Sequence, residues 1–419
     1  MGALADPAVV ERFATLVSGP VRSGGEADAV GGVVPRWVVT PSDTAETGAL
    51  LAATSALGLV VVARGGGTTL SWGAPPERLD VVVDTTSLTG IVEHSSGDLV
   101  VVVRAGTRLS ELQAALGPAG QRLALDGHHG GATIGGLVAH AVSGPSRLLH
   151  GTLRDLLIGT TMVRADGVVA RSGGKVVKNV AGFDIGKLLH GSWGTLGIIT
   201  EAAFRLHPRP PAQRWVTVPV AGAEQTGVLT ARVLQSQTVP AALEVDRPGG
   251  GPAELTVMLE GPAATVEGRG EVVTALLGPG AVAGGSAPPW WGRPPGAPGG
   301  VLIRVTTEVS GVGHLLGAID AAASAASLHV HIRGSAGAGS LLAALAASSE
   351  GAAVGAFVAR LRREAGKWGG TVVVVDGPLD RLAGIDRWGP VAGLDLMRRI
   401  KDRFDPEHLL VPGRYVGGI

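Results

Sequence analysis

The 419-residue sequence contains no cysteine. This absence excludes disulfides, thiolate nucleophiles, Cys-x-x-Cys redox pairs and cysteine-ligated iron–sulfur clusters within the chain. Any electron transfer must therefore use a bound organic cofactor or a metal held by histidine. The sequence also lacks a net charge, since 35 basic side chains balance 35 acidic ones. Because proteins that bind phosphate backbones carry a basic footprint, we predict no nucleic-acid partner.

Long apolar runs are also missing, although 45% of the residues are hydrophobic and predict a globular protein. The longest run, Gly48–Ala63, contains Thr54 and Ser55 and is shorter than the roughly 20 residues that a transmembrane helix needs. The N-terminal segment carries acidic residues and lacks the basic start of a signal peptide. We expect no transmembrane segment and a cytoplasmic protein, or one attached to the inner face of the membrane through a partner.

The order of helical and strand patterns predicts an α+β protein. We expect an N-terminal helix and linker over 1–30, then a dense strand–helix block over 31–210. A second α+β unit follows over 211–385. Residues 386–419 contain an amphipathic helix, Leu394–Phe404, and a C-terminal tail.

A glycine-rich segment, Arg64–Leu70 (RGGGTTL), follows an apolar strand. Consecutive glycines allow positive φ angles and can turn several N–H groups to one side, which makes a nest for phosphate. Threonine hydroxyls add hydrogen bonds. The segment is not a Rossmann fingerprint, because Leu70 occupies the place of the third glycine. Taken alone, it is equally typical of a tight turn after a strand.

Two further segments have polar or glycine-rich patterns. Ala132–Gly136 (ATIGG) opens a helix whose first N–H groups could contact an anion or a carbonyl, although glycine pairs also mark close packing of a helix on a strand. Lys178 and Asn179 lie in a mostly apolar stretch, KVVKNVAGFD. That pattern favours a pocket wall over a solvated face, the alternative being a loop with a salt bridge.

Taken together, these motifs resemble a known family. RGGGT, ATIGGLVAHAVSGPSR, GTLRDLLIG, GKVVKNVAGFD, GSWGTLGIITEAAFRLHP and the tail FDPEHLLVPGRY follow one another as in the FAD-binding domain of the vanillyl-alcohol-oxidase type, the PCMH domain. Within that family, the sequence is most similar to the E subunits of glycolate oxidases. The resemblance covers most of the first 210 residues and the last 30. It implies a two-part FAD-binding domain, a following cap domain and a C-terminal tail that returns to the flavin.

The resemblance also implies which residues bind FAD. The glycine-rich loop would wrap the pyrophosphate, the ATIGG helix and Ser143-Gly144 would line the flavin, and later backbone atoms would meet the adenosine. No histidine lies between Arg64 and Val92, where relatives attach flavin covalently, so we expect dissociable FAD. The expected cofactor-binding residues are Arg64, Gly65, Gly66, Gly67, Thr68, Thr69, Leu70, Thr133, Ile134, Gly135, Gly136, Ser143, Gly144, Lys178, Asn179, Gly194, Gly197, Ile199 and Arg414.

The sequence departs from the family pattern on the substrate side. The cap motif His-Ala-Gly-Asp-Gly-Asn corresponds to Ser335–Ser340 (SAGAGS), which lacks the histidine and the aspartate. Val411 and Ala141 stand where relatives carry asparagine. A site without an acid–base group cannot easily take a hydroxyl proton.

Three hypotheses about function follow from the resemblance. The first is an FAD-binding subunit of a glycolate oxidase or dehydrogenase complex, which oxidises a 2-hydroxy acid to a 2-oxo acid with a second FAD subunit and an iron–sulfur subunit. The second is a stand-alone FAD-dependent oxidoreductase acting on another alcohol or 2-hydroxy acid. The third is a subunit in which FAD is structural.

Three smaller features complete the candidates. His128 and His129 directly precede ATIGG and could tune the flavin or shuttle a proton as catalytic residues, or could simply form a turn. His329 and His331 could share one face of a strand, but no third ligand is evident, so we predict a structural role and no metal. Trp290-Trp291 either anchors a subunit contact or pins its loop onto the protein's own core.

Overall fold

The computed structural model of the chain describes residues 7–127, 130–174, 184–249 and 251–419. His128, His129, Lys178 and Asn179, which the sequence singles out as site residues, lie outside the described residues. Strands and helices alternate throughout, so the α+β class expected from the sequence is confirmed.

Two sheets and a short ribbon form the first half of the molecule. Strands β1, β2, β4 and β3 form a four-stranded sheet in that spatial order, and β5, β6, β10, β8 and β9 form an antiparallel five-stranded sheet. Strand β11 pairs with β7. The strands are β1 (Val21–Ser23), β2 (Trp37–Val39), β3 (Val61–Arg64), β4 (Val81–Asp84), β5 (Ile91–Ser95), β6 (Val100–Arg104), β7 (Gln121–Arg122), β8 (Leu157–Val163), β9 (Val169–Gly173), β10 (Ile198–Arg205) and β11 (His207–Pro208).

Helices cover these two sheets. The longest, α2, begins after Asp43, whose side chain accepts a hydrogen bond from the Glu46 N–H and so caps the helix. The buried faces of the helices and sheets form two apolar cores, one for each sheet. The helices are α1 (Pro7–Ala14), α2 (Thr44–Ala56), α3 (Leu109–Leu116), α4 (Ile134–Ala139), α5 (Arg147–His150), α6 (Leu153–Leu156) and α7 (Ile185–Leu189).

An eight-stranded sheet, called here the cap sheet, forms the second half. Its spatial order is β15-β12-β14-β13-β17-β18-β16-β19. Its elements are β12 (Ala212–Val220), α8 (Ala223–Leu234), β13 (Ala242–Arg247), β14 (Ala253–Gly261), α9 (Ala263–Leu277), β15 (Val282–Gly284), β16 (Val301–Thr306), α10 (Val312–Ala325), β17 (Val330–Ser335), β18 (Ser340–Leu345), α11 (Gly351–Gly366) and β19 (Thr371–Asp376).

The two faces of the cap sheet have different neighbours because side chains alternate along a strand. On β13, for example, Leu243 and Val245 belong to the apolar core that the sheet shares with its four helices. Glu244 lies between them and therefore projects to the opposite face, towards the first half of the molecule. In this half of the chain, the apolar stretches at 216–218, 255–259, 302–305 and 372–375 all lie within strands.

A buried ionic cluster joins the two halves. Glu260 on β14 accepts hydrogen bonds from both sides, at 2.6 and 2.8 Å from Arg122 Nη2 and at 2.6 Å from His150 Nε2. The His150 ring contacts His207 with 4.5 Å between ring centroids. Burial opposes ionisation of Glu260, but its bond to His150 and the charge of Arg122 outweigh burial and lower its pKa to about 2.

The C-terminal helix, α12 (Leu394–Phe404), has the bounds that the sequence indicates. The chain after it returns to β3, where the Val61 N–H donates to Leu409 O at 2.7 Å and the Val411 N–H donates to Val61 O at 3.0 Å. The tail therefore lies beside the strand that leads into the glycine-rich loop, as the resemblance implies.

Candidate active site

The segment Arg64–Leu70, called here the cradle loop, packs so closely against the ATIGG turn and the residue before it that Gly65 and Gly66 leave no room for a side chain. A Cβ on Gly65 would lie 2.1 Å from Thr133 Oγ1, and one on Gly66 would lie 2.0 Å from Gly131 O. Gly67 has a φ of 72°, which L side chains rarely adopt. Each of the three glycines is thus required by the backbone geometry of this loop.

The side chain of Arg64 is held at the foot of the cradle loop. Its guanidinium donates to Asp28 Oδ1 at 2.8 Å and to Asp84 Oδ2 at 2.7 Å. Hydrogen bonds from Arg22, and then from Arg64, hold the pKa of Asp28 well below its usual range. Two carboxyl groups therefore pair with Arg64, which leaves the loop backbone and the threonines to contact a ligand.

The start of α4 is already occupied by the protein's own backbone. The Ile134 N–H donates to Thr107 O at 2.9 Å and the Gly135 N–H donates to Ala105 O at 2.8 Å. The expectation of bare N–H groups is therefore wrong at these two positions, and close packing of the helix start is the correct interpretation. Ile134 is buried in the apolar core, whereas Thr133 Oγ1 is buried without a hydrogen-bond partner among the described residues.

Three segments close around the cradle loop and form one narrow cavity, called here the cradle cavity. They are the ATIGG helix to His140, the segment Trp193–Ile199 and the C-terminal tail. The tail contributes Val411 and Arg414, and Arg414 Nη2 donates to Leu70 O at 2.8 Å and to Trp72 O. The cradle cavity is lined by Val62, Ala63, Arg64, Gly65, Gly66, Gly67, Thr68, Thr69, Leu70, Thr85, Thr133, Gly135, Gly136, Ala139, His140, Trp193, Gly194, Gly197, Ile198, Ile199, Val411 and Arg414.

A second cavity, called here the chamber, lies between the first half and the cap sheet. Its volume of about 680 Å³ is in the usual range for small-molecule sites. Thr68, Thr69 and Gly136 line both cavities, so the chamber opens onto the cradle cavity. Ser143 and Gly144 lie here, with Ala141, Ser335 and Ser340.

The chamber carries an excess of positive charge. Its titratable lining consists of Arg147, Arg293, Arg304, Arg333, His190 and Glu244. Three of these arginines, Arg147, Arg293 and Arg304, hold no carboxylate within 4 Å among the residues that the structure describes, and Arg293 is exposed to solvent. Arg147 donates to Ser340 Oγ at 3.0 Å and to carbonyl groups, and the Arg304 guanidinium lies 5.6 Å from the centre of the Trp72 ring. Arg147 and Arg304 are both less exposed than Arg293. Burial lowers the pKa of both guanidinium groups, so an anionic ligand would compensate for their lost solvation.

Glu244 is the acidic member of this lining. It is 5% exposed, and its Oε1 has no hydrogen-bond partner in the described part of the chain. Burial raises its pKa to about 8, although the nearby charge of Arg147 opposes that rise. The sequence contained one signal for this residue that was missed: a single acid between Leu243 and Val245 in an apolar run.

Comparisons with known proteins identify the first half. Residues 35–173 match the family described as the FAD binding domain. They form an FAD-binding domain. FAD is therefore the cofactor of this chain.

Relatives and solved structures extend this result. The chain is 42% identical to glycolate oxidase subunit GlcE of Escherichia coli over 31% of its own length and 38% of the relative. It is 34% identical to D-lactate dehydrogenase of Archaeoglobus fulgidus over 49% and 46% of the two chains. These alignments thus span less than half of each relative's length.

The fold agrees over nearly the whole chain. p-Cresol methylhydroxylase with substrate bound superposes with a TM-score of 0.77 at 15% identity, covering 97% of this chain and 96% of that one. Alkyldihydroxyacetonephosphate synthase gives 0.74 at 16% identity, covering 98% and 86%. The FAD-binding domain, the cap sheet and the returning tail therefore form a PCMH-type flavoprotein fold.

The cradle cavity of the FAD-binding domain fits a pyrophosphate group. The three glycines bring the loop backbone against the ATIGG turn with no side chain in between, and the unpartnered Thr133 Oγ1 offers a hydrogen bond. The lining residues that were missed from the sequence include His140 and Trp193. His140 Nδ1 donates to Gly136 O at 3.1 Å, burial lowers the pKa of this imidazole to about 4, and its ring lies 4.9 Å from the Trp193 ring between centroids.

The remaining candidates lie away from the FAD-binding domain. His331 Nε2 contacts Asp246 Oδ1 at 2.7 Å, whereas His329 is exposed just before β17. No group of three metal-ligating side chains occurs among the residues described.

Trp290 Nε1 donates to Glu254 at 2.9 Å and Trp291 meets Trp215 edge to face, so these tryptophans pin their loop onto the cap sheet. Of the helices that the structure describes, none is long and apolar enough to cross a bilayer.

Proposed function

We propose that this chain is an FAD-dependent oxidoreductase that oxidises the CH–OH group of a small 2-hydroxy acid to a 2-oxo acid. The observation that carries the proposal is the pair Arg147 and Arg304, two partly buried guanidinium groups without carboxylate partners among the described residues, in a chamber that opens onto the cradle cavity. A substrate carboxylate would supply the missing negative charge. The names of the relatives, glycolate oxidase and D-lactate dehydrogenase, agree with this substrate class.

The residues of the FAD-binding domain would divide the work of holding the cofactor. The backbone of Gly65–Gly67 with Thr68 and Thr69 would contact the pyrophosphate. Thr133, Gly135 and Gly136 would line the flavin end, with Ser143 and Gly144 facing the chamber. Gly194, Gly197 and Ile199 would lie against the opposite side. FAD supplies a hydride acceptor when bound.

The attachment of FAD would be non-covalent. The cradle loop contains no histidine, the residue through which the family resemblance implies covalent attachment. His140 lines another part of the cradle cavity, where its Nδ1 is bonded to Gly136 O. Denaturation with acid should release all of the yellow colour into the supernatant. Colour that stays with the precipitated chain would contradict this part of the proposal.

The substrate class can be tested by anaerobic mixing of the FAD-loaded chain with glycolate, D-lactate and L-lactate. At least one of them should bleach the flavin absorption band. In Arg304→Gln, the concentration for half-maximal reduction should rise roughly 10- to 100-fold, because a charged hydrogen bond contributes about 1.5–3 kcal/mol. Arg360→Gln, which changes an exposed arginine on α11, is the matched control and should behave as the wild type.

Two results would contradict the proposed substrate class. One is a wild-type flavin that none of the three acids reduces under these conditions. The other is an Arg304→Gln variant that binds and reacts like Arg360→Gln. The first result would reject the reaction, and the second would reject the role of the arginine pair in it.

We further propose that the reduced flavin passes its electrons to an iron–sulfur partner in a complex that also contains a second FAD subunit. The chain has no cysteine with which to ligate such a cluster, and one relative bears the name of a glycolate oxidase subunit. Affinity purification of the tagged chain from its own cells should recover iron and acid-labile sulfide. Full turnover by the isolated chain without any partner would contradict the proposal. Such a complex would be cytoplasmic or attached to the inner face of the membrane.

A further inference from the structure

Glu244 occupies a fixed place on the floor of the chamber. Cross-strand register pairs Glu244 with Ser335, and Ser335 with Ser340. The same register pairs Arg304 with Leu342, and residues two apart on one strand share a face. Glu244, Ser340 and Arg304 therefore all project from one side of the cap sheet, and all line the chamber.

A carboxyl group in such a place needs an explanation. Leaving a buried carboxyl without a hydrogen-bond partner costs free energy, so a position of this kind is usually retained for binding or chemistry. Glu244 Oε1 has no partner at hydrogen-bond distance among the described residues, although the Ser335 hydroxyl lies close enough to lower the pKa of the carboxyl against the effect of burial. The group is held by strand pairing on both sides. Its environment is preformed to receive a polar group from a ligand.

The charges around Glu244 come from several elements. Arg147 on α5 lowers its pKa and Asp126, before ATIGG, raises it, but both effects are smaller than that of burial. Arg293, Arg304, Arg333 and His190 also line the chamber. Burial lowers the pKa of His190 to about 4, so this imidazole is neutral near neutral pH. Arg333 already pairs with Asp246 on β13, with 2.8 Å between its Nε and Oδ1, so the surroundings are four guanidinium groups, one of them paired, and the carboxyl groups of Asp126 and Asp246.

We propose that Glu244 is the proton acceptor of the chamber, taking the hydroxyl proton of a substrate whose carboxylate lies against Arg147 and Arg304. This inference rests on the proposed function and assigns the acid–base group that the cap motif Ser335–Ser340 lacks. The substrate O–H bond breaks and its proton goes to the Glu244 carboxylate. The adjacent C–H bond breaks and its electron pair leaves as a hydride to the oxidised flavin, while the C=O bond of the 2-oxo acid forms.

The ionisation of Glu244 suits this role and gives it a signature. A base works best when its pKa lies near the working pH, and burial places the pKa of Glu244 at about 8. The ionised fraction, and with it the rate of proton removal, should rise through this pH. Binding of an unreactive dianion should show the opposite trend, because a carboxylate at Glu244 repels it.

The first test measures oxalate binding to the FAD-loaded chain by calorimetry, which requires no turnover. If only the neutral form of Glu244 admits oxalate, the wild-type affinity should be about tenfold weaker near pH 9 than near pH 7. Glu244→Gln should bind oxalate with no such fall. Glu271→Gln, the same change at an exposed position on α9, should follow the wild type. A fall of equal size in Glu244→Gln, or no oxalate binding by the wild type near pH 7, would overturn the inference.

The second test measures the limiting rate of flavin reduction by the best 2-hydroxy acid. In Glu244→Gln, this limiting rate should fall roughly 100-fold or more, and Glu244→Asp should recover part of it. Retained FAD content and an unfolding temperature no lower than that of the wild type would show that Glu244→Gln is folded. Equal rates and equal pH profiles for wild type and Glu244→Gln would overturn the inference while the proposed function stands. A wild-type flavin that no hydroxy acid reduces would reject the proposed function itself and the proton transfer with it.

Discussion

A fully buried ion pair, Lys401–Asp405, ties the C-terminal tail to the FAD-binding domain. Neither side chain is exposed, and Lys401 Nζ uses its three donors on Asp405 Oδ2 at 2.6 Å, Leu410 O at 2.8 Å and Thr195 O at 2.9 Å. Asp405 in turn accepts hydrogen bonds from the backbone N–H groups of Leu409 and Leu410, at 3.0 and 2.7 Å. Helix α12, the tail and one wall of the cradle cavity therefore meet at this pair.

Replacing Lys401 with methionine should show how much the stability of the fold and the shape of the cradle loop depend on this pair. The change removes three hydrogen bonds and leaves the Asp405 carboxylate buried without its counter-charge. Breaking a buried pair in this way costs about 3–5 kcal/mol of the free energy of unfolding. Because the tail hydrogen-bonds β3 on both sides of Val61, a loosened tail should also widen the cradle loop and weaken FAD binding.

Urea unfolding and FAD titration of Lys401→Met measure the two effects separately. Lys367→Met is the matched control, since Lys367 pairs with Glu364 at 2.7 Å on the surface and such pairs contribute about 1 kcal/mol or less. The double variant Lys401→Met with Asp405→Asn should be more stable than Lys401→Met alone, because it no longer buries an unpaired charge. A loss below about 1 kcal/mol for Lys401→Met would refute the energetic reasoning. A large loss of unfolding free energy with unchanged FAD affinity would refute the proposed effect of the tail on the cradle loop.

Three further predictions concern other parts of the molecule. Gly66→Ala should weaken FAD binding at least roughly tenfold, about 1.4 kcal/mol, because its Cβ would meet Gly131 O at 2.0 Å, whereas Gly97→Ala, with open space around it, should not; equal affinities in an FAD titration would contradict this. Glu260 has a folded pKa of about 2, lowered from 4.5, so its contribution to stability is present above about pH 4.5 and is lost as the pH falls towards 2; urea midpoints of Glu260→Gln should lack this acid limb, worth on the order of 3 kcal/mol. Glu244 has a folded pKa raised from 4.5 to about 8, so its own contribution to stability is most favourable below about pH 4.5 and falls as the pH rises to 8. Glu244→Gln should therefore be more stable than the wild type near pH 7, by on the order of 3 kcal/mol, and equal to it near pH 4. Urea unfolding curves that differ equally at both pH values would contradict this prediction.

Much of the FAD-binding domain was readable from the sequence because its signals are local. The cradle loop depends on successive glycines, which the backbone geometry at Gly65, Gly66 and Gly67 requires. Helix α12 depends on a 3.6-residue repeat, and its bounds were predicted to the residue. Both patterns are complete within a few consecutive residues, so no distant contact was needed to interpret them.

Other local patterns left alternatives that only contacts could decide. The N–H groups of Ile134 and Gly135 donate to the carbonyl groups of Thr107 and Ala105, just after β6, which the ATIGG sequence cannot reveal. Arg64 is neutralised by Asp28 and Asp84, which lie 36 and 20 residues away in the chain. Trp290 and Trp291 contact their own sheet because of where β12 and β14 lie.

The chamber was decided by tertiary structure alone. Arg147, Glu244, Arg304 and Ser340 come from distant segments. Arg147 and Ser340 end the motifs ATIGGLVAHAVSGPSR and SAGAGS, but Glu244 and Arg304 belong to no motif named from the sequence. Which face a strand residue occupies depends on pairing register, since a slip of one residue would turn Glu244 into the apolar core. The sequence by itself thus determined the cofactor and the backbone geometry of the cradle loop, because backbone conformation there is a local property. Only the packing of the cap sheet on the FAD-binding domain brought the charges of the chamber together, because burial and charge pairing are properties of the assembled fold.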